Sequence, residues 1–310
     1  MVSRYSLIVL LTIFLIGCRP ASPTPTAAPA VSSLEGPEAT SLPKTPTAAP
    51  DYVEQLRNAQ YQLGLPDSLQ VVQLTDGKFE RGAPADPDYI SVSMTDFVTA
   101  GDLNADGVDE IAALVSENYG GTGVFVFLTV YTDVNGTPTF FTSAIVDDRP
   151  QLNALSIEND QIFLDAVIHG TDEPMCCPTL RTTRHYRLVN DQLDMTDYAT
   201  FTPDGRPRTI TIESPANGAE VFSSVQVKGS VAIAPFENNL TYSIRDVGGV
   251  ELSRGAISVS AADLGAPGTF DALIPIGSIL SSAVVVVEVQ EFSAADDSLL
   301  AMDSVELVVK

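Results

Sequence analysis

The chain has 310 residues, with 16 lysines and arginines against 40 aspartates and glutamates, so its net charge is −24. This acidity excludes a nucleic-acid-binding role, which requires clustered cations. The 2 histidines nearly exclude histidine-rich zinc or iron sites, and the 45% of hydrophobic residues is enough for packed cores. The length predicts about two domains.

A basic residue, Arg4, lies near the start of the chain and is followed by the apolar run Leu7–Ile16. This run is shorter than the roughly 20 residues that a membrane-spanning helix needs, and it predicts a secretory signal peptide over residues 1–17. It ends in Leu15-Ile16-Gly17-Cys18, which resembles the lipobox of bacterial lipoproteins. The resemblance implies cleavage before Cys18 and anchoring of that residue by acyl chains such as palmitate. The alternative is an uncleaved helix that contains an incidental cysteine.

Residues 18–50 have the composition of a tether. Eight of the 21 prolines lie in this segment, which is otherwise rich in alanine, serine and threonine and has no aromatic residue. Such a segment cannot bury enough apolar surface to offset its ordering entropy, and we expect it to be disordered with a reach of up to roughly 100 Å. We therefore expect an extracytoplasmic protein on the outer face of the cell membrane, or on an outer membrane if the cell has two.

Residues 51–200 are predicted to form an α+β domain, with one N-terminal helix and a mainly antiparallel sheet. Asp51 is a plausible N-cap for a helix that continues to Leu63, and Gly64-Leu65-Pro66 would end it. Asn135-Gly136 predicts a hairpin turn. β-Branched and aromatic residues predict strands at Val124–Tyr131, Thr139–Ile145, Leu155–Ile157, Gln161–Ile168 and Thr182–Val189.

A short acidic loop in this domain has the oxygen spacing of a calcium site. The candidate ligands are the side chains of Asp102, Asn104, Asp106 and Glu110 with the carbonyl oxygen of Val108. An EF-hand is not expected, because position twelve is Ala113 and the following segment reads as a strand. The loop resembles the calcium loops between strands of β-propeller repeats. The alternative is a turn in which these side chains cap backbone N–H groups.

Cys176 and Cys177 are adjacent, and Cys18 is reserved for lipid. Outside the cytoplasm they could form only a strained vicinal disulfide with each other. Two alternatives stay open. One is a rigid turn or a pair of small buried thiols. The other is a thiol-redox or copper site that also uses Met175, with His169 or His185 as a further candidate ligand.

Residues 89–193 resemble the LppP/LprE-type family of bacterial lipoprotein domains. The resemblance depends on the order of three elements: the loop at Gly101–Glu110, the turn Gly120-Gly121-Thr122-Gly123 and the sequence Cys176-Cys177-Pro178. It implies a surface lipoprotein and no particular reaction.

Residues 209–310 are predicted to form an all-β sandwich, because apolar alternation recurs at regular intervals. The core is expected to be aliphatic, with Phe236, Phe270 and Phe292. Ser214-Pro215-Ala216-Asn217-Gly218, Val227-Lys228-Gly229 and the valine-rich final strands resemble the immunoglobulin-like domain of bacterial spore germination proteins. The resemblance implies an extracytoplasmic immunoglobulin-like domain.

The sequence contains no nucleophile elbow, phosphate-binding loop or zinc-binding helix motif, so we expect no catalytic residues and no enzymatic activity. The predicted function is a non-catalytic binding or structural role in the cell envelope. The expected partners are the membrane, through the anchor, and an envelope protein or polymer, but no nucleic acid. Calcium is the one cofactor that the residues suggest. The alternative function is a thiol-redox or copper-binding lipoprotein.

Overall fold

A computed structural model describes residues 50–64, 70–276 and 283–310. The predicted signal peptide, Cys18 and nearly all of the tether lie outside the described residues. Among the described residues, no helical segment combines the length and apolar character needed to span a bilayer.

In its described residues, the first region contains one helix, α1 (Pro50–Leu56), and eleven strands. The strands are β1 (Gln60–Gln62), β2 (Val71–Gln73), β3 (Lys78–Arg81), β4 (Ile90–Gly101), β5 (Glu110–Asn118), β6 (Phe125–Asp133), β7 (Pro138–Asp148), β8 (Gln151–Glu158), β9 (Gln161–Ile168), β10 (Leu180–Val189) and β11 (Gln192–Thr200). A helix followed by mainly antiparallel strands confirms the predicted class of this region. The predicted strands all occur, and β1–β4 and β11 were not predicted.

The helix is shorter than predicted, because α1 ends at Leu56 rather than at Leu63. Gln60–Gln62 instead pairs with Val71–Gln73 as a two-stranded sheet. Tyr61 and Leu63 are buried beside the adjoining strands. Tertiary pairing has overridden the helical spacing here.

Strands β3 to β7 form a five-stranded antiparallel sheet in chain order. The hairpin between β6 and β7 turns at Asn135 and Gly136, which have φ angles of 55° and 82°. Both angles are in the left-handed region that this type of turn requires, and the predicted hairpin is confirmed. One face of the sheet packs on β8–β11 through an aliphatic core that includes Leu114, Leu128 and Leu164. The other face is covered by α1, β1 and β2.

The described part of the second region has eight strands. They are β12 (Ile210–Ser214), β13 (Ala219–Val221), β14 (Ser224–Val231), β15 (Asn239–Asp246), β16 (Glu251–Ala261), β17 (Gly268–Pro275), β18 (Val284–Phe292) and β19 (Leu299–Val309). Strand β16 pairs with β15 along most of its length and with β17 at Val259–Ala261, so the sheet folds over at this strand. The two layers enclose a common core, and the immunoglobulin-like sandwich is confirmed.

The core of the sandwich is almost entirely aliphatic, as expected, and contains Phe270. Phe236 does not belong to it: the residue lies in a short turn after β14 and is 64% exposed. Phe292 is half-buried, with Arg254 over its ring. The alternation of the strands therefore identified the core better than the size of the side chains did.

The two regions share one sheet. Strand β11 pairs with β19 through Asp197–Asp303, Tyr198–Met302 and Ala199–Ala301. The resulting order runs β12-β14-β17-β16-β15-β18-β19-β11-β10-β9-β8. The Thr200 hydroxyl donates to the Leu300 carbonyl (2.7 Å), and the Ser304 hydroxyl donates to the Thr196 carbonyl (2.9 Å). The predicted boundary between residues 200 and 209 falls in the connection from β11 to β12.

Candidate functional site

The predicted calcium loop joins the end of β4 to the start of β5. Two of its residues, Ala105 and Gly107, have φ angles of 60° and 85°, which curl the chain tightly. The loop side chains accept hydrogen bonds from backbone N–H groups. Asp102 Oδ2 accepts from the N–H of Gly107 (2.9 Å), and Asp106 Oδ1 accepts from the N–H of Val108 (2.8 Å). Glu110 is buried and accepts from the N–H of Leu103 (2.9 Å). The side-chain amide of Asn104 donates to the other Glu110 oxygen (3.1 Å).

The carboxylates of this loop differ electrostatically. The N–H of Gly107 does most to lower the pKa of Asp102. Burial raises the pKa of Glu110, and the charges of Asp106 and Asp102 add to the rise. A cation held by these groups would relieve that repulsion. In the described conformation, however, no three His, Cys, Asp or Glu side chains anywhere in the described ranges are arranged to hold a metal ion. Calcium binding stays a prediction. The alternative is a turn in which these side chains cap backbone N–H groups, and its hydrogen bonds are present.

Cys176 and Cys177 lie in the loop between β9 and β10. Both are exposed and unpaired in the described conformation, so the alternative of buried thiols is wrong. The rigid turn and the vicinal disulfide between Cys176 and Cys177 stay predictions. The N–H of Cys177 donates to the Pro174 carbonyl (3.1 Å), as in a tight turn. Glu173 fixes the base of the loop by accepting from the N–H groups of Gly170 (3.0 Å) and Thr179 (2.9 Å). The side-chain hydrogen bond with Cys176 raises the pKa of the Cys177 thiol.

The two histidines have different surroundings. His185 on β10 lies opposite Asp197 on β11, with 3.0 Å between its Nδ1 and the carboxylate Oδ1, and its ring contacts Phe163. His169 follows β9, and both of its ring nitrogens are buried without a hydrogen-bond partner among the described residues. The His185 ring is therefore within hydrogen-bond distance of a carboxylate in the sheet, whereas the His169 ring has no such partner among the described residues.

Sequence reasoning missed a buried carboxylate, Glu117 on β5. It is fully buried and accepts hydrogen bonds from the Tyr61 hydroxyl, the Tyr119 hydroxyl (2.5 Å) and the N–H of Gly64 (2.9 Å). Burial raises the pKa of both tyrosines, with Glu117 adding to the rise. Nothing in the local sequence signals this site. Two of the three donors, Tyr61 and Gly64, lie more than fifty residues before Glu117 in the chain.

A second group of charges, also missed, lies where the two regions meet. Asp303 on β19 is directly opposite Asp197 on β11. Burial raises the pKa of Asp303 to about 6; the N–H of Ile212 opposes the rise, and the charge of Asp197 adds to it. Nearby, Arg245 on β15 bridges Asp194 on β11 (2.6 Å) and Glu288 on β18 (2.5 Å). Arg245 therefore links the two regions by an ion pair with Asp194, in addition to the pairing of β11 with β19.

Comparison with known proteins supports one part of the chain. Residues 209–298 match the immunoglobulin-like domain of bacterial spore germination. The match confirms the resemblance for this region and ends before β19, the strand that completes the sandwich and pairs with the first region. No curated protein matches the chain.

Proposed function

We propose that the protein is a lipid-anchored, extracytoplasmic protein with a non-catalytic binding or structural role in the cell envelope. The observation that carries the proposal is Leu15-Ile16-Gly17-Cys18 at the end of a short apolar run, followed by a proline-rich segment. Cleavage before Cys18 and acylation of its thiol would attach the chain to a bilayer. The tether would then hold an acidic body away from an anionic surface that repels it.

The described architecture supports a presenting role. The immunoglobulin-like domain shares a sheet with the first region, because β19 pairs with β11. A tether would therefore display both regions together. Residues 89–193 are proposed as an LppP/LprE-like domain on the sequence elements quoted above. Within it, the Asn118 side-chain amide donates to the carbonyls of Gly121 (3.1 Å) and Gly123 (2.6 Å), so the glycine turn has a defined shape.

Metabolic labelling tests the anchor. The full chain is expressed in a bacterial host supplied with labelled palmitate. We expect label in the wild-type chain and in the matched control Cys176→Ser/Cys177→Ser, and none in Cys18→Ser. We also expect protease added to intact cells, or to spheroplasts of a two-membrane host, to digest the folded part. An unlabelled wild-type chain in the cytosol would refute the proposal.

We further propose that the loop at Asp102–Glu110 binds calcium in a structural role, with the ligands predicted from the sequence. The support is the spacing, the curled backbone and the repulsion that Asp102 and Asp106 exert on buried Glu110. Calcium should raise the melting temperature of the wild-type chain. Asp106→Asn should abolish the increase, whereas Asp109→Asn, an equal charge change at an exposed non-ligand position of the same loop, should retain it. No calcium effect on the wild type would contradict the proposal.

The alternative function, a thiol-redox or copper site, is favoured by one observation: both cysteines are exposed thiols on a turn fixed by Glu173. Copper(I) titration followed by thiol alkylation and intact mass tests it. Protection of both thiols by one copper ion, lost in Cys177→Ser, would support the copper site. Formation of a reversible disulfide with a loss of two mass units, when a low-molecular-weight disulfide is the oxidant, would support the redox role. Thiols unaffected by either reagent would exclude both.

A further inference from the structure

A cavity of about 570 Å³ lies where β9, β10 and β11 of the first region approach the connection between β18 and β19. Its volume is within the range typical of small-molecule sites. Its apolar wall comes from both regions and includes Leu180, Met195, Tyr198, Leu299 and Leu300. The site is distinct from the acidic loop and from the cysteine turn.

The cavity contains a buried cation, Arg184, that has no ion-pair partner among the described residues. Arg184 on β10 is only 6% exposed. One end of its guanidinium donates to the Val146 carbonyl (2.9 Å), but its Nε is buried without a partner among the described residues. Within the same ranges, Arg184 forms no ion pair, and its guanidinium lies 5.6 Å from the centre of the Tyr198 ring. A buried guanidinium without an anion is costly, and an anionic ligand would offset that cost.

A second unpartnered group lines the same cavity. The ring nitrogens of His169 are buried, and neither has a hydrogen-bond partner in the described part of the chain. Only its backbone N–H is engaged, with Asp147 Oδ2 (3.2 Å). Arg184 and His169 thus leave N–H donors unused in a cavity whose remaining wall is mostly apolar.

The carboxylates that line the cavity differ from these donors in exposure. Asp172 and Asp296 are both exposed, whereas Arg184 is buried. Asp296 is already engaged by the hydroxyl of Ser298 (2.9 Å). The exposed part of the cavity is therefore acidic and the buried part is cationic. This arrangement, in a chain with a net charge of −24, disfavours ligands with several negative charges.

We propose that this cavity binds a small amphiphile with a single carboxylate and an aliphatic chain. The carboxylate would accept hydrogen bonds from Arg184 Nε and His169, and the aliphatic chain would lie along the apolar wall. The inference does not rest on the lipid anchor: it concerns a free ligand held by the folded part.

Octanoate is the probe. Isothermal titration uses the full chain in lipid nanodiscs, with empty nanodiscs as the blank. We expect octanoate to bind at least tenfold more tightly than octanol, and octyltrimethylammonium not to bind. Arg184→Met, which keeps the aliphatic stem, should weaken octanoate binding at least tenfold. Arg187→Met, on the same strand but outside the cavity lining, should leave it unchanged.

His169→Leu provides a variant that loses no ring hydrogen bond, so it tests the site even if Arg184→Met fails to fold. It should weaken octanoate binding at least threefold with an unchanged circular dichroism spectrum. Equal binding of octanoate and octanol to the wild type, or full octanoate binding by either cavity variant, would overturn the proposal. These readouts do not depend on acylation of Cys18, so their failure is distinguishable from failure of the anchor.

Discussion

The interiors of the two regions differ in chemistry. The sandwich of residues 209–310 has a core of aliphatic side chains from alternating positions of its strands, such as Val287 and Leu307. The first region also has aliphatic clusters, but it buries Glu110, Glu117, Asp165 and Arg184 as well. Buried carboxylates need hydrogen-bond partners, and Glu117 and Asp165 receive theirs from other segments of the chain. The first region is therefore specified by polar contacts that the hydrophobic pattern does not reveal.

Strand β18 shows how the sandwich adapts to its neighbour. It is buried along nearly its whole length, although only Val285, Val287 and Val289 belong to the sandwich core. The intervening positions include the buried residues Glu288 and Gln290. Glu288 pairs with Arg245, which also binds Asp194 of the first region. The polar groups that the second region buries are thus concentrated near its junction with the first.

The largest effect is expected from removing the buried carboxylate of the first region. Glu117→Ala leaves two tyrosine hydroxyls and a backbone N–H without their acceptor, and it should lower the free energy of unfolding by about 3–5 kcal/mol. The matched control is Glu80→Ala, because Glu80 accepts from the Tyr89 hydroxyl (3.2 Å) at the surface. Glu80→Ala should lower the free energy of unfolding by less than about 1 kcal/mol. Urea titration of both variants and the wild type measures the difference. An equal loss of unfolding free energy in Glu117→Ala and Glu80→Ala would contradict a special role for buried polar contacts in the first region.

In the sandwich, we expect the largest loss of stability where a substitution disturbs packing rather than a charge. A methyl group at Gly229 on β14 would overlap with the Thr211 carbonyl oxygen and the Phe270 ring. Gly229→Ala should therefore cost about 3 kcal/mol, since the backbone oxygen cannot move aside as a flexible side chain can. Gly121→Ala, in an open turn of the first region, is the control. A chemical denaturation midpoint that is unchanged in Gly229→Ala would contradict the close packing of β12 and β14.

Substitutions at the junction between the regions should cause an intermediate loss of stability. Arg245→Met leaves Asp194 and Glu288 unpaired and should cost about 2–3 kcal/mol. Arg206→Met removes an exposed pair with Asp204 (2.9 Å) and should cost less than about 1 kcal/mol. Hydrogen exchange on Arg245→Met should show faster exchange in both β11 and β18. Acceleration confined to β18 would show that the regions are not coupled through this residue.

The smallest effect concerns pH and Asp303. Its pKa is raised to about 6 in the folded protein, so the folded state holds this proton more tightly than the unfolded state does. That stabilisation is complete below the ordinary aspartate pKa and is lost as pH rises to about 6. Between pH 4 and 7, the stability of Asp303→Asn relative to wild type should therefore rise by about 1–2 kcal/mol, a range reduced for partial solvent screening. A difference in stability between Asp303→Asn and wild type that does not change with pH would contradict this prediction.

The amino-acid sequence by itself determined the fold class, most strands and the immunoglobulin-like domain of this protein. Alternation and turn residues are local signals, and Asn135-Gly136 or the core of β18 follow from them directly. Only the tertiary structure decided the length of α1, the pairing of β11 with β19, the carboxylate site at Glu117 and the burial of Arg184 with its Nε unpaired among the described residues. Each of these depends on contacts between segments far apart in the chain, and local propensity carries no information about which distant partner a strand or a buried charge will meet.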